Sequence, residues 1–157
     1  MSSSNSNSNK RLILFLTIAL ALVGCSRKTV FSHYEHVGLS GWEQHDTLYI
    51  DITGVPAGTY QEELGLRNSI EYPYLSLTLV ADQQSRSGFH RSDTVQVEIA
   101  DESGKPLGNG ISHYSHSISL GQVTLCDSDT VRVRVHHYML HDDLPGISDI
   151  GITLRAL

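Results

Sequence analysis

The chain has 157 residues, enough for one ordinary domain and too few for two large ones. Its formal charge of −6, from 11 Lys+Arg against 17 Asp+Glu, excludes a nucleic-acid partner held by phosphate neutralisation, which needs clustered cations. With 39% hydrophobic residues, 13 Gly and 4 Pro it can fill a core and turn often, whereas two Cys cannot support a disulfide scaffold.

Lys10 and Arg11 close a short basic leader, an apolar stretch of 12 residues runs from Leu12 to Val23, and Gly24-Cys25 follows. That layout is a secretory signal peptide. Twelve residues fall short of the roughly 20 that a membrane-spanning helix requires, so cleavage is predicted, not a permanent span. Leu22-Val23-Gly24-Cys25 resembles a bacterial lipobox, which makes residues 1–24 a lipoprotein signal and Cys25 the lipid attachment site. The mature chain then keeps 133 residues and a balance of −8. Acyl chains contribute about 0.8 kcal/mol per buried CH₂, and two of them already hold a protein stably at a membrane. Residues 25–29, Cys25-Ser26-Arg27-Lys28-Thr29, read as a lipidated polar tether, and residues 30–157 read as one domain facing the periplasm.

Past residue 45 the apolar pattern has period two and recurs in short runs. Leu48, Ile50 and Ile52 form the first, and a weaker run spans Tyr60 to Arg67. Leu75, Leu77 and Leu79 come next, then Val95, Val97 and Ile99, then Val131, Val133 and Val135, and finally Ile150, Ile152 and Leu154. Turn chemistry separates them at Gly54 to Gly58, Asp82 to Gly88, Asp101 to Gly104, Asp127 to Asp129 and Asp142 to Gly146. Strands with one dry face must cover it. Seven or eight of them pair naturally into an all-β, antiparallel two-sheet β-sandwich of jelly-roll type.

Candidate chemistry is sparse. His113-x-x-His116 and His136-His137-x-x-x-His141 have spacings that could converge on a metal, yet His136 and His137 point to opposite faces of a strand and no HExxH frame accompanies them. No metal and no cofactor is predicted. Cys126 is a free thiol beside Asp127 and Asp129, an acidic setting that makes a poor nucleophile. No nucleophile elbow, P-loop or dinucleotide fingerprint occurs, so no catalytic residue and no small-molecule substrate is assigned. Tyr72-Pro73-Tyr74 and Trp42 either plug the sandwich end or line a binding face. Leu144 and Ile147, framed by Asp142, Asp143 and Asp149, either cap the same end or form a small apolar contact with a charged rim.

The lipobox, Trp42 with Asp46, Leu66-Arg67 before Tyr72-Pro73-Tyr74, Asp93-Thr94, Asp101 to Gly104 with Gly108 and Gly110, and the closing Met139, Leu144 and Gly146 to Ile152 form an ordered set. Together they resemble the GldH family of gliding-motility-associated lipoproteins of the Bacteroidota. The chain departs from that pattern at Leu140, where the family has Arg, and at Ser76, where it has Asn. The resemblance implies a membrane-anchored accessory protein of the cell envelope, tied to gliding and to the protein-secretion apparatus, with envelope protein partners and no catalytic residues. Cys25 is the only functional position it carries over. A glycan- or peptide-binding sandwich using Tyr72, Tyr74 and Trp42 is the alternative.

Overall fold

The computed structural model describes residues 28–38 and 40–157. The signal peptide, Cys25 and residues 26–27 of the tether lie outside the described residues. Among the described residues eleven strands follow one another: β1 Thr29–His36, β2 Trp42–Glu43, β3 Leu48–Ile52, β4 Gly58–Ser69, β5 Ser76–Ser85, β6 His90–Glu98, β7 Asn109–Gly110, β8 His113–Leu125, β9 Val131–His137, β10 Asp143–Leu144 and β11 Ile147–Ala156. They pair antiparallel into sheets of order β1-β11-β4-β8-β7 and β3-β9-β5-β6, with β2 and β10 as a small separate ribbon. Taking the eight long strands in chain order, the first, eighth, third and sixth make one sheet and the second, seventh, fourth and fifth the other. That is the jelly-roll order, and the fold is the two-sheet β-sandwich that the period-two runs predict.

The dry faces meet as alternation requires. Leu64, Leu66, Ile150, Ile152 and Leu154 of the first sheet pack against Ile50, Ile52, Leu77, Leu79, Val133 and Val135 of the second, all buried. Three strands differ from the sequence pattern. β1 carries Phe31, His33 and Glu35 on one face and Ser32 and Tyr34 on the other, so an edge strand forms where no dry face is written. β5 continues to Ser85 through residues with turn composition, because Gln83 is fully buried opposite Arg91. Leu75, grouped with Leu77 and Leu79 by alternation, instead precedes the strand and is about half exposed.

β8 changes face part-way. The register against β4 steps from Glu62↔Gly121 to Glu63↔Ser119, leaving Leu120 as an extra residue in a β-bulge. Gly121 has φ +90°, a conformation that favours glycine. Before the bulge Ile118 and Leu120 turn inward, and after it Val123 and Leu125 do, so neither parity alone describes the strand.

The connections sort into two ends. β1 leaves Lys28, whose carbonyl accepts from Ala156 N–H at 2.8 Å, so the tether enters beside the end of β11. The β3–β4, β5–β6 and β8–β9 connections share this tether end. Segments 37–38, 40–47, 70–75, 99–112 and 138–146 close the opposite end.

Candidate functional site

The tether-distal end is built on a buried plug. Trp42 is 1% exposed, and its indole N–H donates to the Asp46 carbonyl at 3.0 Å. Leu144, paired with Trp42 across β10 and β2, is 0% exposed, and Ile147 is 4% exposed. These two residues therefore sit within the core cluster. Tyr72 is buried at 7%, its hydroxyl donates to the Ser76 carbonyl at 2.9 Å, and burial pushes its phenol well above the usual range. Of the pair Tyr72 and Tyr74, only Tyr74 reaches the surface. It meets Tyr72 edge-on at 5.5 Å and stacks on the His141 ring at 4.5 Å. An exposed platform of paired aromatics is thus not formed by Tyr72, Tyr74 and Trp42.

Other residues make the surface. Eight large hydrophobic side chains are exposed among the described residues, and Ile70, Leu75, Leu107, Ile111, Tyr138 and Leu140 all lie at this end. Leu140 is 99% exposed and Tyr138 72%. The sequence shows the loops but not this division of labour. Leu144 and Ile147, which the sequence leaves open between a cap and a contact, are buried, whereas the side chains that project belong to positions 138 and 140, just beyond the end of β9. The one available signal is that β9 stops at His137, which frees the next residues from alternation.

Charge is segregated as well. The distal segments carry Glu43, Asp46, Glu71, Asp101, Glu102, Asp142 and Asp143 against the single cation Lys105. Beside the apolar side chains, a hollow of about 550 Å³ is lined by Ser40, Glu43, Gln44, His45, Asp142 and Asp143.

The remaining candidates are dispersed. Among the described residues no three His, Cys, Asp or Glu side chains gather in an arrangement that could hold a metal ion. His116 shares a 3.0 Å hydrogen bond with Asn68 Oδ1, His137 is buried against Trp42, His136 faces the other way, and His113 is exposed. Cys126 is an exposed free thiol in the connection after β8, at the tether end.

A polar cluster that composition does not flag lies inside the sandwich. Glu62, fully buried on β4, accepts at Oε2 from Gln83 Nε2 at 3.0 Å and from the Arg91 guanidinium. Arg91 also holds Asp93 Oδ2 at 2.7 Å and the Gln122 carbonyl at 3.0 Å. Burial raises the Glu62 carboxyl above the usual range against the pull of Gln83 and Arg91, and Glu62 Oε1 and Gln83 Oε1 have no partner. The cluster joins the two sheets. Glu62 and Gln83 are closed off from solvent while Arg91 and Asp93 reach it in part, and the cluster has the character of a structural lock.

The gliding motility lipoprotein GldH of Flavobacterium johnsoniae is 30% identical over 100 residues, which cover 63% of this chain and 62% of that protein. A solved structure of Eiger TNF from S. frugiperda is similar over 83% of this chain and 94% of the other, at 9% identity and a TM-score of 0.39, a likeness too slight to carry function. The sequence pattern of the GldH lipoprotein family matches residues 29–154, from the first residue of β1 to Leu154 in β11. Spanning both sheets and every distal loop, that match shows that the chain belongs to the GldH lipoprotein family.

Proposed function

We propose that this chain is a lipid-anchored lipoprotein of the cell envelope that acts in gliding motility, supporting the assembly or stability of the gliding and secretion apparatus through its protein surface and not through catalysis. Residues 1–24 are the signal, Cys25 takes the lipid, residues 25–29 form the tether, whose last residue opens β1, and the sandwich of residues 30–157 faces the periplasm. Family membership and the name of the Flavobacterium relative support the motility role. The observation that carries the reading is the opposition of the two ends: the chain enters beside Ala156, while six of the eight exposed large apolar side chains among the described residues, and loops carrying seven acids against one Lys, lie at the far end. An anchored domain so arranged holds its contact surface away from the bilayer.

Cys25→Ala in the host tests it. The variant should fold and melt like the parent, fail to incorporate labelled fatty acid, leave the membrane in a carbonate wash, and abolish colony spreading or secretion. Equal membrane retention of both proteins, or undiminished motility and secretion by the released one, overturns the proposal.

A further inference from the structure

We propose that the tether-distal end docks a protein segment bearing a Lys or Arg side chain flanked by apolar residues. The proposal rests on the reading that the chain works through a protein partner, and it names what that partner must present.

The apolar part is a ridge of side chains whose backbone segments are tied to one another. Leu107 N–H donates to the Ile99 carbonyl, and Ile99 and Ala100 N–H donate to that of Leu75. Tyr74 follows by stacking on His141, which neighbours Leu140 and Tyr138. The ridge is held in place, since Tyr138 N–H donates to the Thr78 carbonyl at 2.8 Å and Gln44 Nε2 to the Met139 carbonyl at 2.8 Å. A side chain as exposed as Leu140 on a pinned backbone gains from being covered and loses little entropy when it is.

The charged part lies next to it. Gln44 N–H bonds the Asp142 carbonyl at 2.7 Å, which brings Glu43, Asp142 and Asp143 around one hollow of about 550 Å³. None of these three carboxylates forms an ion pair with a described residue. Unpaired acids around a hollow beside an apolar ridge match the anatomy of an interface core with its polar rim, and their complement is a cation among hydrophobes.

Other occupants fit less well. A second copy would bring acid against acid across a symmetric contact, and like charges so placed repel. A bilayer with anionic headgroups repels the same loops and lies at the opposite end.

Panning a random dodecapeptide display library against the whole mature protein tests the inference without reference to motility or anchoring, so its failure and that of the anchored-lipoprotein reading are separable. Enriched peptides should place Lys or Arg beside Leu, Phe or Trp, and bind less tightly as salt rises. Their affinity should fall at least about tenfold for Asp142→Lys and several-fold for Leu140→Ser. Both positions are exposed, so both variants should melt with the parent. No enrichment, enrichment of acidic or uncharged sequences, or undiminished binding to both variants overturns it. So does self-association, or binding to phosphatidylglycerol vesicles, that Leu140→Ser abolishes, because either result gives the ridge to a different occupant.

Discussion

His137 meets Trp42 edge-on in the plug of the tether-distal end, with ring centroids 5.4 Å apart at 74°, and its Nε2–H donates to the Trp42 carbonyl at 3.2 Å. Because a carbonyl only accepts, the bond fixes the neutral tautomer with the proton on Nε2. Nδ1 is then a bare acceptor, buried and without a partner. β9 is thereby fastened to β2 beneath the exposed loop.

The same burial makes His137 acid-sensitive. Desolvation, ahead of the weaker pull of the Trp42 carbonyl, holds its pKa below the ordinary imidazole value of about 6.5. The unfolded chain then takes up the proton first, so the stability this group contributes is complete above about pH 6.5 and is lost as pH falls towards the folded value. His137→Leu should cost about 1–3 kcal/mol at pH 7.5 by leaving the Trp42 carbonyl unpaired. That gap should narrow as pH is lowered to 5, read by thermal melts. A constant gap would show that His137 titrates alike in both states.

Glu62 has the opposite sign. Its carboxyl is raised by burial, so its contribution to stability is complete below about pH 4.3 and declines as pH rises through the folded value. Gln83 and Arg91 oppose this from the second sheet. If burial dominates, Glu62→Gln should melt close to the parent at pH 4 and gain on it steadily up to pH 7. A variant that loses ground over that range would show that the Arg91 pair outweighs desolvation.

The parts of the fold that were legible are those in which one parity is aliphatic throughout, as at Leu48, Ile50 and Ile52, whose strand has the bounds the pattern gives. β1 was hidden because His33 and Glu35 occupy the parity that pairs with Ile152 and Ile150. β8 was hidden by Leu120, whose bulge exchanges the two parities in mid-strand. The buried cluster was written in register but disguised by residue type. Glu62 shares the parity of Tyr60, Leu64 and Leu66, and Gln83 that of Leu77, Leu79 and Ala81, while Arg91 and Asp93 share that of Val95 and Val97. Composition assigns such side chains to the surface, and mutual pairing lets Glu62 and Gln83 stay inside while Arg91 and Asp93 remain partly exposed. For the distal end, the acidic loops could be read directly, but which hydrophobes project depends on where β9 stops.

A glycine pair fastens β1 to the sheet. Gly151 and Gly65 face each other across β11 and β4, and Tyr34 lies over both with the Arg67 guanidinium 4.3 Å from its ring centroid. A methyl group at Gly151 would come within 2.5 Å of the ring. Gly151→Ala should therefore destabilise by about 1–3 kcal/mol, by displacing Tyr34 and loosening β1. Made in a Tyr34→Ala background it should cost much less, and chemical denaturation of the four proteins gives the coupling. Additive effects would mean that the glycine matters for its backbone and not for the space it leaves.

The loop between β9 and β11 separates packing from contact within five residues, and a pair of substitutions should reveal the boundary. Leu144 is 0% exposed against Trp42, so Leu144→Ala leaves a cavity that the pinned plug cannot collapse. The cost should be about 2–4 kcal/mol, lowering the melting temperature by roughly 6–15 °C in a domain of this size. Leu140 packs on nothing, so Leu140→Ala should shift melting by less than about 2 °C while reducing motility or secretion. Melting curves of both purified variants, alongside spreading assays of both strains, read the two effects independently. A large stability loss at Leu140 would mean that its loop folds back onto the sandwich, and an unchanged phenotype there would remove the ridge from the functional surface.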